Sequence, residues 1–236
     1  MDSTFLYGQA QDPEVSVNPP SMAIRQDAAR RWHGQTLACG GDDGRAQLAR
    51  CRRLLLTLLF TDIVGSTQLV ERLGDRAWHG LLHQQRAIVR TQVARLGGVE
   101  VDCCGDGFFG IFPMPALALQ CAAFVCDALL GFGIEMRAGV HAGECEFEDE
   151  GHVSGIAVHI AARIASLARP REVLVSETVK DLVAGSGLEF ADRGRRTLKG
   201  LARPRRLFAL DSSTLRLRHD DPDLINRHDE AARLAR

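Results

Sequence analysis

From Leu54 to Thr61 the chain is almost continuously apolar, Leu-Leu-Leu-Thr-Leu-Leu-Phe-Thr, and the run predicts a buried strand. A turn at Gly65-Ser66-Thr67 follows, and residues 67–73 suit a short helix. Over 75–96 the apolar positions Leu81, Leu82, Ile88, Val89, Val93 and Leu96 recur at helical spacing. Asp75 is the expected N-cap of that helix, and Gly97-Gly98 its stop. Residues 99–104 and 108–112 then read as two strands of a tight hairpin, with Gly105-Asp106-Gly107 at the turn.

An Ala/Leu/Cys-rich helix is expected over 115–131 and a long strand over 134–147. A polar loop at 148–154 leads into a helix over 155–168. A strand at 172–176, a helix at 177–184 and three short strand-like pieces near 188–193, 195–198 and 205–210 complete the pattern. The order strand–helix–strand–strand–helix–strand is that of a ferredoxin-like βαββαβ core. The expected fold class is α+β: this core extended by additional C-terminal strands, with helices on one face of a mainly antiparallel sheet. The other face and the sheet end are left for a ligand or partner.

The flanks lack this periodicity. Residues 1–52 are rich in Gly, Pro, Asp and Gln and read as a disordered leader, with a short helix near 22–36. Residues 211–236 read as a charged tail with room for a terminal helix, which leaves 53–210 as the ordered domain. A 236-residue chain, 45% hydrophobic and 25% charged, is consistent with one domain and two tails.

A net charge of −1 gives no electrostatic case for nucleic acid or an anionic membrane. The strands also lack the exposed aromatic and basic pattern of an RNA-binding sheet. Seven cysteines without zinc-ligand spacing read as reduced core thiols. The apolar runs fall short of the ~20 residues a membrane span needs, and the N-terminus lacks a signal pattern. A cytoplasmic location without membrane insertion is the expectation.

Two carboxylates stand where strands end or turn. Asp62 precedes Gly65-Ser66-Thr67, whose free backbone N–H groups suit phosphate oxygens. Alone, Asp62 serves as well to cap the turn, and Gly-Asp-Gly around Asp106 is a common hairpin turn. Together, on neighbouring strands, the two can share hard cations, which in turn hold a triphosphate. On the helix over 155–168, His159 and Arg163 are four apart and share one face of an otherwise small and apolar segment. An arginine there needs an anion, supplied by a ligand or by a structural carboxylate. Leu198-Lys199-Gly200 alone is a surface turn carrying one of only two lysines.

These pieces, in this order, resemble the class III nucleotidyl cyclase catalytic domain, in a bacterial subgroup often joined to other domains. The phrases that carry the resemblance are Leu-Phe-Thr-Asp-Ile-Val-Gly-Ser-Thr, Gly-Asp-Gly-Phe-Phe, Arg-Ala-Gly-Val-His-Ala-Gly-Glu, Ala-Val-His-Ile-Ala-Ala-Arg, Glu-Val-Leu-Val-Ser and Leu-Lys-Gly, spread over residues 54–210. The resemblance implies that Asp62 and Asp106, with the Ile63 carbonyl, hold two Mg²⁺ or Mn²⁺ ions. It implies that Arg163 stabilises charge on the α-phosphoryl group and that Lys199 contacts the terminal phosphates. It also implies a head-to-tail homodimer with two composite sites.

The sequence departs from the family at three positions. His159 stands where an asparagine is usual, and still offers one hydrogen bond towards ribose or phosphate. Asp102 and His152 stand where adenine-reading residues are expected. Asp102 accepts hydrogen bonds from the adenine amino group or from guanine N1–H and N2–H₂, and His152 can donate to guanine O6. The expected reaction is ATP to 3′,5′-cyclic AMP and pyrophosphate, by attack of the ribose 3′-oxygen on the α-phosphate. GTP as substrate, or a silent cyclase-like module that binds nucleotide without turnover, are the alternatives.

Overall fold

The computed structural model describes residues 52–147 and 152–214. Strand β1 (Arg52–Ile63) is followed by α1 (Ser66–Leu73) and α2 (Asp75–Arg95). The hairpin β2 (Val99–Asp102) and β3 (Phe108–Phe112) leads to α3 (Pro115–Leu130) and β4 (Met136–Phe147). The remainder comprises β5 (Val153–Ser154), α4 (Ile156–Leu167), β6 (Val173–Ser176), α5 (Glu177–Leu182), β7 (Phe190–Arg196) and β8 (Arg205–Leu210). The leader, its helix near 22–36 and nearly all of the tail lie outside the described residues.

One sheet runs in the order β2-β3-β1-β4-β6-β8-β7, and β5 pairs with β4. Its first four strands are mutually antiparallel and reproduce the βαββαβ core. Strand β6 lies parallel to β4, a pairing that needs a crossover, and α4 supplies it. The expected α+β class and the C-terminal extension of the sheet are both present.

Residue alternation sorts the core into two sides. Leu59 and Ile63 of β1 join Met136, Ala138, Val140 and Ala142 of β4 beneath α2 and α3. Leu56 and Leu58 join Phe109, Ile111 and Cys145 on the opposite side, against Ala157, Val158 and Ala161 of α4. Helices on one face therefore describes α2 and α3 of the core, while α4 covers part of the other face. It can lie there because β4 offers Gly139 and Gly143 on that side: a Cβ on either would press into Ala165 or Ala157.

Three local expectations change. Gly74, not Asp75, is the N-cap of α2, because Gly74 at φ 75° also ends α1 and Asp75 falls in the first helical turn. There its carboxylate faces the positive helix end. The pieces at 188–193 and 195–198 are one strand: Gly194 at φ 74° accompanies a register shift between Asp192 and Arg195 rather than a break. Strand β2 stops at Asp102, so Cys104 is exposed, whereas Cys121, Cys126 and Cys145 are buried as expected.

Candidate active site

Asp62 is the penultimate residue of β1 and stands opposite Arg137 of β4 in the antiparallel ladder. Arg137 donates from Nε (3.0 Å) and from Nη2 to the same oxygen, Asp62 Oδ2. Its Nη1 donates to the carbonyl of Ser166 on α4 at 3.1 Å. Both side chains are about two-thirds buried, with 29% of Arg137 and 33% of Asp62 exposed. Beyond β1, Ile63 is buried, and the backbone turns through Gly65 at φ 65° into α1. This left-handed residue brings Ser66 back towards the end of the strand, while Gly65 and Thr67 remain exposed.

The β1–β3 ladder ends with Thr61 opposite Phe108, which brings the turn before β3 alongside Asp62. In that turn Gly105 adopts φ 60°, and the Gly107 N–H donates to the Cys104 carbonyl at 3.0 Å. Arg86 of α2 braces it by donating from Nη2 to the Gly105 carbonyl at 2.7 Å. Asp106 lies close enough to Ser66 and Asp62 for both to act on its carboxyl. Its Oδ2 is buried and has no hydrogen-bond partner. Burial, and then the negative charge of Asp62, raise the Asp106 carboxyl above its ordinary value, and the Ser66 hydroxyl opposes this.

An orphaned carboxylate oxygen beside a second carboxylate fits a hard divalent cation. Among the described residues no cluster of three or more His, Cys, Asp or Glu side chains is placed for a metal. The donor set is thus two carboxylates, which suits Mg²⁺ or Mn²⁺ completed by water and phosphate oxygens rather than a closed protein cage.

A cavity of about 230 Å³ opens beside the pair, with Phe60, Asp62, Asp102, Phe109, Arg137 and Ala165 in its lining. The rings of Phe60 and Phe109 stack at 4.2 Å and 8°. Asp102, the last residue of β2, accepts the Cys103 N–H on Oδ1 at 2.8 Å. His152 is half-buried at the head of β5 and is not among the described residues that line this cavity.

The remaining candidates form a second group. His159 is exposed and Arg163 half-buried on α4. Leu198, in the β7–β8 connection, is 1% exposed and belongs to one buried cluster with Ile160 and Ile164 of α4. That anchor seats the exposed Lys199 next to α4, on a turn closed by the Leu201 N–H to the Leu198 carbonyl at 3.0 Å. Among the described residues no hydrogen bond or ion pair joins Arg163, His159 or Lys199 to Asp62 or Asp106.

Two side chains at the site escaped the sequence reading. Arg137 appears there as a strand residue and the first residue of a resemblance phrase, without a role, and Arg86 only as part of a helix. An arginine near the start of a strand whose next residues are Ala138, Gly139 and Val140 was the available signal for the first, since such a cation needs a partner.

A profile of the adenylate and guanylate cyclase catalytic domain matches residues 53–212. The chain belongs to that family. A relative named putative adenylate cyclase 3, from Rhizobium meliloti, is 31% identical over 163 residues, covering 65% of this chain and 27% of its own length. This chain thus spans about a quarter of that relative's length. An uncharacterized protein of Mycobacterium tuberculosis is 30% identical over 229 residues, covering 86% of this chain and 79% of its own. The crystal structure of the adenylyl cyclase CyaB from P. aeruginosa superposes with a TM-score of 0.64 at 22% identity, over 68% of this chain and 95% of that one. That likeness carries the fold. No helix among the described residues is long and apolar enough to cross a membrane.

Proposed function

We propose that this cyclase domain converts ATP to 3′,5′-cyclic AMP and pyrophosphate, with two divalent cations held by Asp62 and Asp106 and the Ile63 carbonyl. The observation that carries the reading is the buried, unpartnered Oδ2 of Asp106 beside Asp62 and Ser66. A lone structural carboxylate would not leave that oxygen without a donor. When bound at Asp62 and Asp106, the cations would supply positive charge that lowers the pKa of the 3′-hydroxyl, whose proton would pass to water, and that neutralises the triphosphate.

The chain's own residues account for the rest. The backbone N–H groups of Gly65, Ser66 and Thr67, at the start of α1, receive phosphate oxygens. Arg163 donates to the α-phosphoryl oxygens as the 3′-oxygen attacks in line and pyrophosphate departs. Lys199 holds the terminal phosphates, and His159 donates one hydrogen bond to ribose or phosphate. Among the described residues of one chain, no hydrogen bond or ion pair joins Arg163, His159 or Lys199 to the two carboxylates. Two copies arranged head to tail would supply each site with both halves, so the active species is a homodimer and the monomer is inactive.

Base choice falls to Asp102 and His152. The adenylate reading follows the name of the Rhizobium relative. A guanylate reading is favoured by one feature, the Asp102 carboxylate at the cavity, which can accept both N1–H and N2–H₂ of guanine. The test is an assay of the purified dimer with ATP and GTP, in Mn²⁺ and Mg²⁺, beside Asp106→Ala. Cyclic AMP formation abolished by the substitution is expected. Equal or faster turnover of GTP would make this a guanylate cyclase, and activity surviving in Asp106→Ala would remove the two-cation mechanism. Inactivity of the wild-type dimer under all four conditions would make it a silent module.

A further inference from the structure

We infer that Arg137 is a positioning residue that holds the Asp62 carboxylate in the cation-free protein and sets cation affinity by competing for it. The inference rests on the reading of Asp62 and Asp106 as the cation site. Arg137 directs two N–H groups at one oxygen, Asp62 Oδ2. A third N–H is tied to the Ser166 carbonyl, so the guanidinium is fixed between β1 and the last turn of α4. Cross-strand register holds the two residues opposite each other.

The two carboxylates are treated unequally. Asp62 has a cation in the protein, whereas Asp106 Oδ2 has no partner. Two adjacent carboxylates without a counter-ion repel, and Arg137 offsets that repulsion in the empty site. A dication approaching Asp62 meets this fixed positive charge at hydrogen-bond distance from its own ligand. Either Asp62 Oδ2 leaves Arg137 or the cation shares it, and both arrangements weaken cation binding. Through Ser166 the same side chain also ties the carboxylate end of the sheet to α4, the helix that bears Arg163.

The test is Mn²⁺ binding to the nucleotide-free dimer, read by electron paramagnetic resonance of the free ion. R137Q is expected to bind Mn²⁺ at least threefold more tightly than wild type. D106N is expected to bind at least tenfold more weakly. Unchanged or weaker binding by folded R137Q, with D106N impaired, overturns the role of Arg137 and leaves the cation site standing. Wild-type affinity in D106N overturns both. Should R137Q fail to fold, R137K carries the test: it keeps the charge but loses the two-pronged grip on Oδ2. Mn²⁺ affinity equal to wild type in R137K would then overturn the proposal.

Discussion

Gly139 of β4 and Ala165 of α4 approach so closely that a Cβ built on Gly139 would meet the Ala165 backbone nitrogen and stand 2.5 Å from its Cα. Helix α4 lies directly on the sheet backbone here. The neighbouring Ala165 and Ser166 contribute to the cavity that holds Asp62 and Arg137. The obstacle to a methyl group is helix backbone, not a flexible side chain, so it cannot swing aside. Gly139→Ala is expected to destabilise the fold by about 3 kcal/mol, the upper part of the overpacking range. Urea unfolding measures it, and a change below about 0.5 kcal/mol would show that α4 can lift without cost.

His141 lies on the same side of β4, 4% exposed, with Nδ1 2.8 Å from Ser176 Oγ. Burial, aided by the positive charge of Arg205, pushes its pKa from 6.5 down to about 4. The unfolded chain therefore binds a proton here before the folded one does. The stability from a neutral His141 is complete above pH 6.5 and is lost as pH falls towards 4, by up to about 3 kcal/mol. His141→Gln has no such proton to gain. Unfolding free energies measured across that window are expected to fall more steeply for wild type than for the variant, and parallel curves would refute this.

Much of the fold was readable because it is written in local periods. The apolar run of β1, the helical spacing from Leu81 to Leu96 and the Gly-Asp-Gly hairpin need only neighbours in sequence. The pairing of Arg137 with Asp62 was not readable, since it depends on β1 and β4 register, a contact 75 residues apart. The position of α4 on the second face was hidden for a related reason. Its apolar stripe shows that it packs, but the glycines that admit it lie on another element. The gap expected between the pieces 188–193 and 195–198 is instead a register shift within one strand, at Gly194. Asp62 and Asp106 were legible as a pair from their places on neighbouring strands, strengthened by the order of the later motifs, and the fold puts Asp62 close enough to act on the Asp106 carboxyl.

Asp106 carries a stability cost that the proposed cation role would explain. Its carboxyl is raised by burial and by Asp62, so in the cation-free protein it destabilises the fold as pH rises through its window and the group ionises. Asp106→Asn removes that buried charge. The variant is expected to melt a few degrees higher than wild type at neutral pH without metal. Added Mn²⁺ should raise the melting temperature of wild type and leave that of the variant unchanged. A variant less stable than wild type would mean that Asp106 is held by contacts that favour its charge.

Separation of the two residue groups makes the composite site testable without a structure of the dimer. Asp106→Asn damages the carboxylate half, and Arg163→Ala damages the α4 half. Each variant alone should be inactive, because every site in its homodimer lacks one half. In a head-to-tail heterodimer one site receives both lesions and the other receives none. Mixed in equal amounts and allowed to exchange, half of the dimers are mixed and half of their sites are intact, so activity should return to about one quarter of wild type. No recovery after exchange, confirmed by mixed dimers on native mass spectrometry, would place both groups in one chain's site and contradict the composite arrangement. Activity in either variant alone would instead remove that residue from the reaction.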